Sequence, residues 1–570
     1  MERRSQQPRI TPENYTRAIV SLSKRYSSTS TFPGNNYVDL REWLLQDRNL
    51  LAANKPKEDA GLFASRSERP HDFVVVYDSI DRKWDVTTYN HAQHQSFANI
   101  PLPAGGTGQI VFIRGLVSPS WVSALGSKYS IDPEFFRRHM NFLSASIDRH
   151  AYSLPSLVTT SDNIFRLCVS TIFYRDDFGG QDLRLQRLEE LAELDKYRMQ
   201  QLGSTKVSCG DSIVRDYSTV CPSFSVMEQW MSLCIAKTER GWSIIVLMDQ
   251  GRPLENSPPG PWTRHIKAKA APLPVLQHHH KMAFRTTTNR LDAEESSAAE
   301  IPQSAAVLPL QYDSLLALVD LARRAPQDPM SMCIPLFAHS AFSEVQFLNF
   351  MESRIQNQIA FILGESEDDV LGTLQHFSDL LNRHARQLKE SKRALLKLSE
   401  YDGRERTETK PQSPETDLSR NTSMNGASGT YSARGLLENF EELRIRCNDL
   451  SNMCSRGITL AMNKAAIEES RKAIQQNHRL KRLTILASFF IPLSFITSLF
   501  GMNVNILGQG DVPFWWFFVL CVPILPLAYI IYLWDLKAIK KFASSVWKAC
   551  RGASQSISGR KPEKDASYIV

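Results

Sequence analysis

Apolar and polar positions follow three successive styles along this chain. Up to about residue 70 the sequence is polar and reads as irregular, with one short helix predicted around Asp39 to Leu51. Short apolar runs bounded by turn residues come next: DFVVVYDS (72–79), QIVFIRGL (109–116), NIFRLCVSTIFY (163–174) and MSLCIAKTERGWSIIVLMD (231–249). Each is a strand by length and β-branched content, and TERG in the last reads as a hairpin turn. A helical stretch, Pro119 to Met140, lies among them, and Asp132 followed by Pro133 is a helix start, an N-cap and a first-turn proline. Residues 71–250 therefore read as an α/β body. From 251 to 308 the chain is rich in Pro, Ala and Ser and reads as a long loop.

From 309 to 401 the period changes. YDSLLALVDLARRA, FSEVQFLNFMESRIQNQIAFIL and the run from Glu367 to Tyr401 place apolar residues at steps of three and four, which is a helical face. Residues 402–435 have almost no aliphatic side chains and read as a disordered insert. Beyond it Leu436, Phe440, Leu443, Cys447, Leu450 and Cys454 alternate steps of four and three, a seam for packing against other helices. No proline interrupts this stalk, 436–482, until Pro492. A continuous helix to Phe500 is about 100 Å long at 1.5 Å per residue.

Two uncharged runs close the pattern, Leu483–Phe500 and Phe514–Trp534, each long enough to cross a bilayer. They predict a C-terminal transmembrane hairpin. Arg471, Lys472, Arg479, Lys481 and Arg482 precede the first span, and Lys537, Lys540, Lys541, Lys548 and Arg551 follow the second, in the tail 535–570. Both flanks, and so both termini, are expected in the cytosol, because basic residues stay on that side. The connecting loop, 501–513, has no Lys or Arg and is expected outside. Trp515, Trp516, Tyr532 and Trp534 stand where interfacial aromatic anchors belong.

Bulk composition adds mainly exclusions. In 570 residues the net charge is +7, and no Arg/Lys stripe interleaves with aromatics, so nucleic acid is set aside. Nine cysteines without CxxC spacing fit a reducing compartment. The N-terminus lacks the apolar core of a secretory signal. Its Arg and Ser content resembles a mitochondrial presequence, but Glu2 and Glu13 oppose that, so the plasma membrane is favoured over the mitochondrial inner membrane. No Ser/His/Asp set, Walker loop or GxGxxG after a strand is present, and an enzyme is not expected. His278 to His280 and the pair His91 and His94 lack cysteines or carboxylates at ligand spacing and read as solvated loop histidines. For Glu365, Glu367, Asp368 and Asp369 two readings stand, a cytosolic cation sensor or a helix-starting cluster favoured by the dipole.

PLSFITSLFGMN, at the end of a long basic-flanked helix and followed by one more span and a Lys-rich tail, resembles the CorA superfamily of divalent-cation channels. The resemblance is specific over about 435 to 545 and rests on Gly501, Met502 and Asn503. It implies a homopentamer whose first spans line one pore, with Asn503 presenting a ring of amide oxygens at the outer mouth as part of the filter. One face of the first span carries Asn477, Leu480, Leu483, Ala487, Ile491, Ser494 and Ser498, polar at both ends and apolar between. By the same resemblance Asn477 lines the cytosolic end, and Leu480, Leu483 and Ile491 match the hydrophobic constriction. The expected cargo is Mg²⁺, with Zn²⁺ or Co²⁺ open on the same scaffold, and no resident cofactor is expected. A third reading is a membrane-anchored oligomer that has lost conduction. Bacterial members usually carry an acidic residue soon after the motif; here Val504 and Asn505 occupy that place.

Overall fold

The computed structural model describes residues 10–24, 37–53, 72–80, 83–103, 107–141, 163–174, 182–203, 207–238, 241–267, 271–277, 305–318, 329–363, 370–408 and 433–501, with 515–516, 518–519, 521–524, 526 and 530 beyond them. It divides into two units, Met1–Ala461 and Met462–Val570.

The first unit is built on one sheet whose strands are β1 (Val74–Ile80), β2 (Lys83–Tyr89), β3 (Thr107–Arg114), β4 (Ile164–Tyr174), β5 (Asp216–Cys221), β6 (Phe224–Thr238), β7 (Gly241–Met248) and β8 (Ala271–Pro272). The order is β2-β1-β3-β7-β6-β4-β8, with β5 also paired to β6. Only β3 and β7 run parallel; the other pairs are antiparallel. The central strands are apolar on both faces because both faces are covered. Val75, Tyr77, Ile110, Phe112, Ile244 and Val246 point into one core, and the intervening Val74, Val76, Val111, Ile113, Ile245 and Leu247 into the other. This two-residue alternation between two cores explains runs such as VVVY and SIIVLM.

One core is closed by α1 (Pro12–Lys24), α2 (Val38–Ala53), α3 (His94–Ala98), α4 (Pro119–Tyr129) and α5 (Pro133–His139). The polar reading of the first 70 residues missed α1. It buries only Tyr15 and Ile19 in the apolar core, with Leu22 packed against it, too few to show as a run, and Tyr15 Oη donates to the Ile131 carbonyl at 2.8 Å. Asp132 caps α5 by accepting from Glu134 N at 2.9 Å. Strands β2 and β5 and helix α6 (Leu183–Gly203) were also missed, since β2 and β5 are short and largely polar. In the Pro-rich stretch, α7 (Trp262–Lys267) buries Trp262 against Tyr197, and β8 pairs with the end of β4.

The other core lies under α8 (Tyr312–Leu318), α9 (Ile334–Leu363), α10 (Val370–Glu408) and the first part of α11 (Ala433–Gly501). Helix α10 thus extends to Glu408 and α11 starts at Ala433, so helix occupies both ends of the stretch read as an insert. Two serines of α9 dock on β4: Ser340 Oγ donates to the Cys168 carbonyl at 2.6 Å, and Ser343 Oγ bonds both the Ser170 N–H, at 2.8 Å, and its carbonyl, at 2.9 Å. They satisfy backbone groups along a strand whose outer neighbour pairs only with Phe173 and Tyr174.

A buried ionic cluster pins α10 to α9 and the sheet. His384 Nδ1 lies 3.0 Å from both carboxylate oxygens of Glu344 on α9, and its Nε2 is 3.3 Å from Glu228 on β6. Glu228 also accepts from Arg383 at 2.5 Å and Gln387 at 2.9 Å, while Arg383 pairs with Asp216 on β5. The His384 ring stacks on Phe347 at 4.0 Å. Burial opposes the charge on His384, but the carboxylates of Glu344 and Glu228 outweigh it and raise its pKa to about 10. Burial likewise opposes the Glu228 carboxylate, yet Arg383 and His384 hold its pKa below the ordinary range.

Because the folded pKa of His384 lies above its unfolded 6.5, the stability it contributes is fully present below pH 6.5 and is lost as pH rises towards about 10. His384→Gln leaves two buried carboxylates without their shared cation and should cost about 3–5 kcal/mol. Thermal unfolding of the purified chain between pH 6.5 and 10 checks both points. The parent should lose melting temperature across that range and the variant should start lower with a flatter profile; identical profiles would refute the assignment.

Candidate ion pathway

Helix α11 has two parts with different surroundings. In the first unit, Leu436, Phe440, Leu443, Cys447, Leu450 and Cys454 are buried, the seam that the three- and four-residue steps predict. Phe440 meets Phe337 of α9 edge-on at 6.3 Å. Cys447 Sγ donates to the Leu381 carbonyl at 2.9 Å, Ser451 Oγ donates to Asn382 Oδ1 at 3.2 Å, and Lys392 pairs with Glu441 at 2.9 Å. Glu441 is held at about 2 by hydrogen bonds from Arg444 and Lys392. Arg446 pairs with Glu352 of α9. Gly457 leaves room for Leu374 and Ile359 to close on the helix backbone; a Cβ there would sit 2.8 Å from Leu374 Cδ1. Leu381 and Asn382, which hold α11, adjoin Arg383 and His384, which hold the sheet. One turn of α10 therefore serves both.

From Met462 onward the helix is exposed almost all round. Asn477, Leu480, Leu483, Ile491, Ser494 and Ser498 all stand on its surface, with Leu483 and Ile491 at 66% and 67% exposure. So do Leu486, Phe490 and Phe495 on other sides, whereas Ile496 is buried. This part of α11 is long and apolar enough to cross a membrane. Its hydroxyls are turned back on their own helix: Ser494 Oγ donates to the Ile491 carbonyl at 2.9 Å and Thr484 Oγ1 to the Leu480 carbonyl at 2.8 Å. That satisfies them without water. Pro492 stands inside the helix and, lacking an N–H, leaves the Ser488 carbonyl without its usual partner.

Gly501 is the last residue of α11. Met502 and Asn503 lie outside the described residues, as do Glu365, Glu367, Asp368 and Asp369 and the His278–His280 run. Of the second apolar run, 515–516, 518–519, 521–524, 526 and 530 are described and helical; Trp515 and Trp516 stack at 4.9 Å, and Cys521 is buried. Among the described residues no group of three or more His, Cys, Asp or Glu is placed to hold a metal ion. Sequence reasoning missed the cluster of Glu228, Glu344, Arg383 and His384. The available signal was a His at a core position of α10, but its partners are 40 and more residues away in the chain.

Residues 352–537 match the family profile of the CorA-like Mg²⁺ transporter protein. The chain is 28% identical over 116 residues to the magnesium transporter ALR1 of Saccharomyces cerevisiae, covering 20% of this chain and 14% of that protein. It is 32% identical over 91 residues to ALR2 of the same yeast, covering 16% and 11%. A putative metal ion transporter of Schizosaccharomyces pombe is 39% identical over 72 residues, 12% of each chain. The matched stretches thus span roughly an eighth of these relatives' length. Among solved structures, the CorA magnesium transporter of Methanocaldococcus jannaschii aligns over 80% of this chain and 96% of its own, at 11% identity and a TM-score of 0.31. Over residues 352–537, about a third of its length, the chain is thus similar to the CorA-like Mg²⁺ transporter family.

Proposed function

We propose that the chain forms a homopentameric channel that passes Mg²⁺ down the membrane potential into the cytosol, with its two spans forming a hairpin and both termini inside. The observation that carries this reading is that Gly-Met-Asn begins at Gly501, the last residue of the exposed apolar helix, within the matched residues 352–537. A hydrated Mg²⁺ gives up its water reluctantly, so a ring of neutral Asn503 amide oxygens selects it by accepting hydrogen bonds from those waters. Gly501 gives the chain the freedom to turn out of the helix there.

No ionisable side chain lies between Leu483 and Gly510. Proton-coupled carriers place one at such a depth, and its lack supports passive flow. A divalent ion gains about 4.6 kcal/mol per 100 mV, twice the single-charge value. Rings of Leu480, Leu483 and Ile491 would close the resting pore by excluding water. The plasma membrane is the favoured site.

Asn503→Ala should abolish Mg²⁺ uptake while leaving insertion and assembly intact, since a small loop side chain contributes little packing; full uptake by the variant would sink the filter assignment. Replacing Ile491 by Ser should admit water at the constriction and raise flux at unchanged oligomer content, measured by cross-linking. Normal assembly with unchanged flux would place the constriction elsewhere. A tag after Gly508 should be reached from outside intact cells and tags at either terminus should not; outside access to the C-terminus would overturn the two-span arrangement.

A further inference from the structure

Immediately before its apolar segment, α11 carries Arg471, Lys472, Arg479, Lys481 and Arg482, all exposed, together with exposed His478. The last acids before them are Glu468 and Glu469, and none follows before Asp511. Lys464, one turn earlier, pairs with Glu468, but among the described residues none of the five later Lys and Arg residues makes an ion pair. At about 100° per residue, Arg471, Lys472, His478, Arg479 and Arg482 fall within roughly 120° of the helix surface. Asn477, Leu480, Leu483, Ala487, Ile491, Ser494 and Ser498 centre about 140° away from them. Lys481 lies between the two sets.

We infer that this basic stripe is a docking surface for the phosphate headgroups of anionic phospholipids in the cytosolic leaflet. Arg479 and Arg482 lie within about a turn of Leu483, where the uncharged segment begins, so their guanidinium groups reach the headgroup layer, while Arg471 and Lys472, about 17 Å further along the axis, act on the anionic surface through their field. The stripe faces away from the side assigned to the ion path, where five copies would repel a divalent cation. This part of the argument rests on the proposed pore face. Arginine forks match the two free oxygens of a phosphodiester. A further basic set, Lys537, Lys540 and Lys541, follows the second apolar run in the sequence.

The test is native mass spectrometry of the full chain extracted from vesicles of phosphatidylcholine and phosphatidylglycerol at 7:3, counting each lipid retained. The parent should retain phosphatidylglycerol well above its share, and Arg471→Gln/Arg479→Gln/Arg482→Gln should lower that enrichment by roughly tenfold. The same charge change at exposed Arg386, Lys389 and Arg393 on α10 should leave it intact, and Lys in place of the three stripe arginines should restore most of it. Inorganic phosphate added to the vesicles should not displace the lipid. Equal retention of the two lipids by the parent, unchanged enrichment in the triple variant, or displacement by inorganic phosphate would overturn the inference. So would loss of oligomers in the triple variant at unchanged enrichment, which would assign the stripe to contacts between copies. Retention is read without ion flux, so a non-conducting parent that enriches phosphatidylglycerol would refute the channel reading and not this one.

Discussion

A single helix made for two solvents is the constraint on which the rest of this molecule depends. In its first part α11 buries one apolar seam, and the remaining sides are mostly polar; in its second part apolar side chains are exposed on most sides. The seam needs a protein partner, which α9 and α10 supply. In the second part the backbone groups bond within the helix, save the Ser488 carbonyl opposite Pro492, and Thr484 and Ser494 bond its own carbonyls, which is the condition for entering hydrocarbon. The α/β body exists around the first requirement: its sheet holds α9 through two serines and α10 through a buried ionic cluster.

That cluster has a cost that packing alone does not. Three carboxylates, Glu228, Glu344 and Asp216, share two cations, Arg383 and a protonated His384, in the interior. Such a group adds little net stability over an apolar core of the same shape, but its five members meet only when helix and sheet stand in this register. Since the adjoining Leu381 and Asn382 bond α11, register fixed at Glu228 is carried one turn along α10 to Cys447 and Ser451. Local periodicity has no trace of this arrangement, because its members come from β5, β6, α9 and α10.

The sequence was most legible where burial is one-dimensional. QIVFIRGL became β3, the hairpin around TERG became β6 and β7, and the α11 seam fell on the residues spaced by three and four. It was least legible where tertiary context supplies what local pattern lacks: α1 contributes two apolar side chains to the core, β5 is a short polar strand made regular by β6, and Trp262 is buried from within a Pro-rich stretch. That the second part of α11 is long and apolar enough to cross a membrane could be read from composition alone. The proposed filter was read from a tripeptide, and its Met502 and Asn503 lie outside the described residues, so their roles rest on the motif and on the hydration chemistry of Mg²⁺.

Ion flux into reconstituted vesicles, at a fixed inside-negative potential and with Mg²⁺, Zn²⁺ and Co²⁺ supplied in turn, tests the central claim most directly. The account predicts that Mg²⁺ enters fastest, that its flux grows with the potential, and that collapsing the proton gradient at constant voltage changes nothing. Flux of none of the three ions, or Mg²⁺ entry that stops when the proton gradient is collapsed, would contradict it.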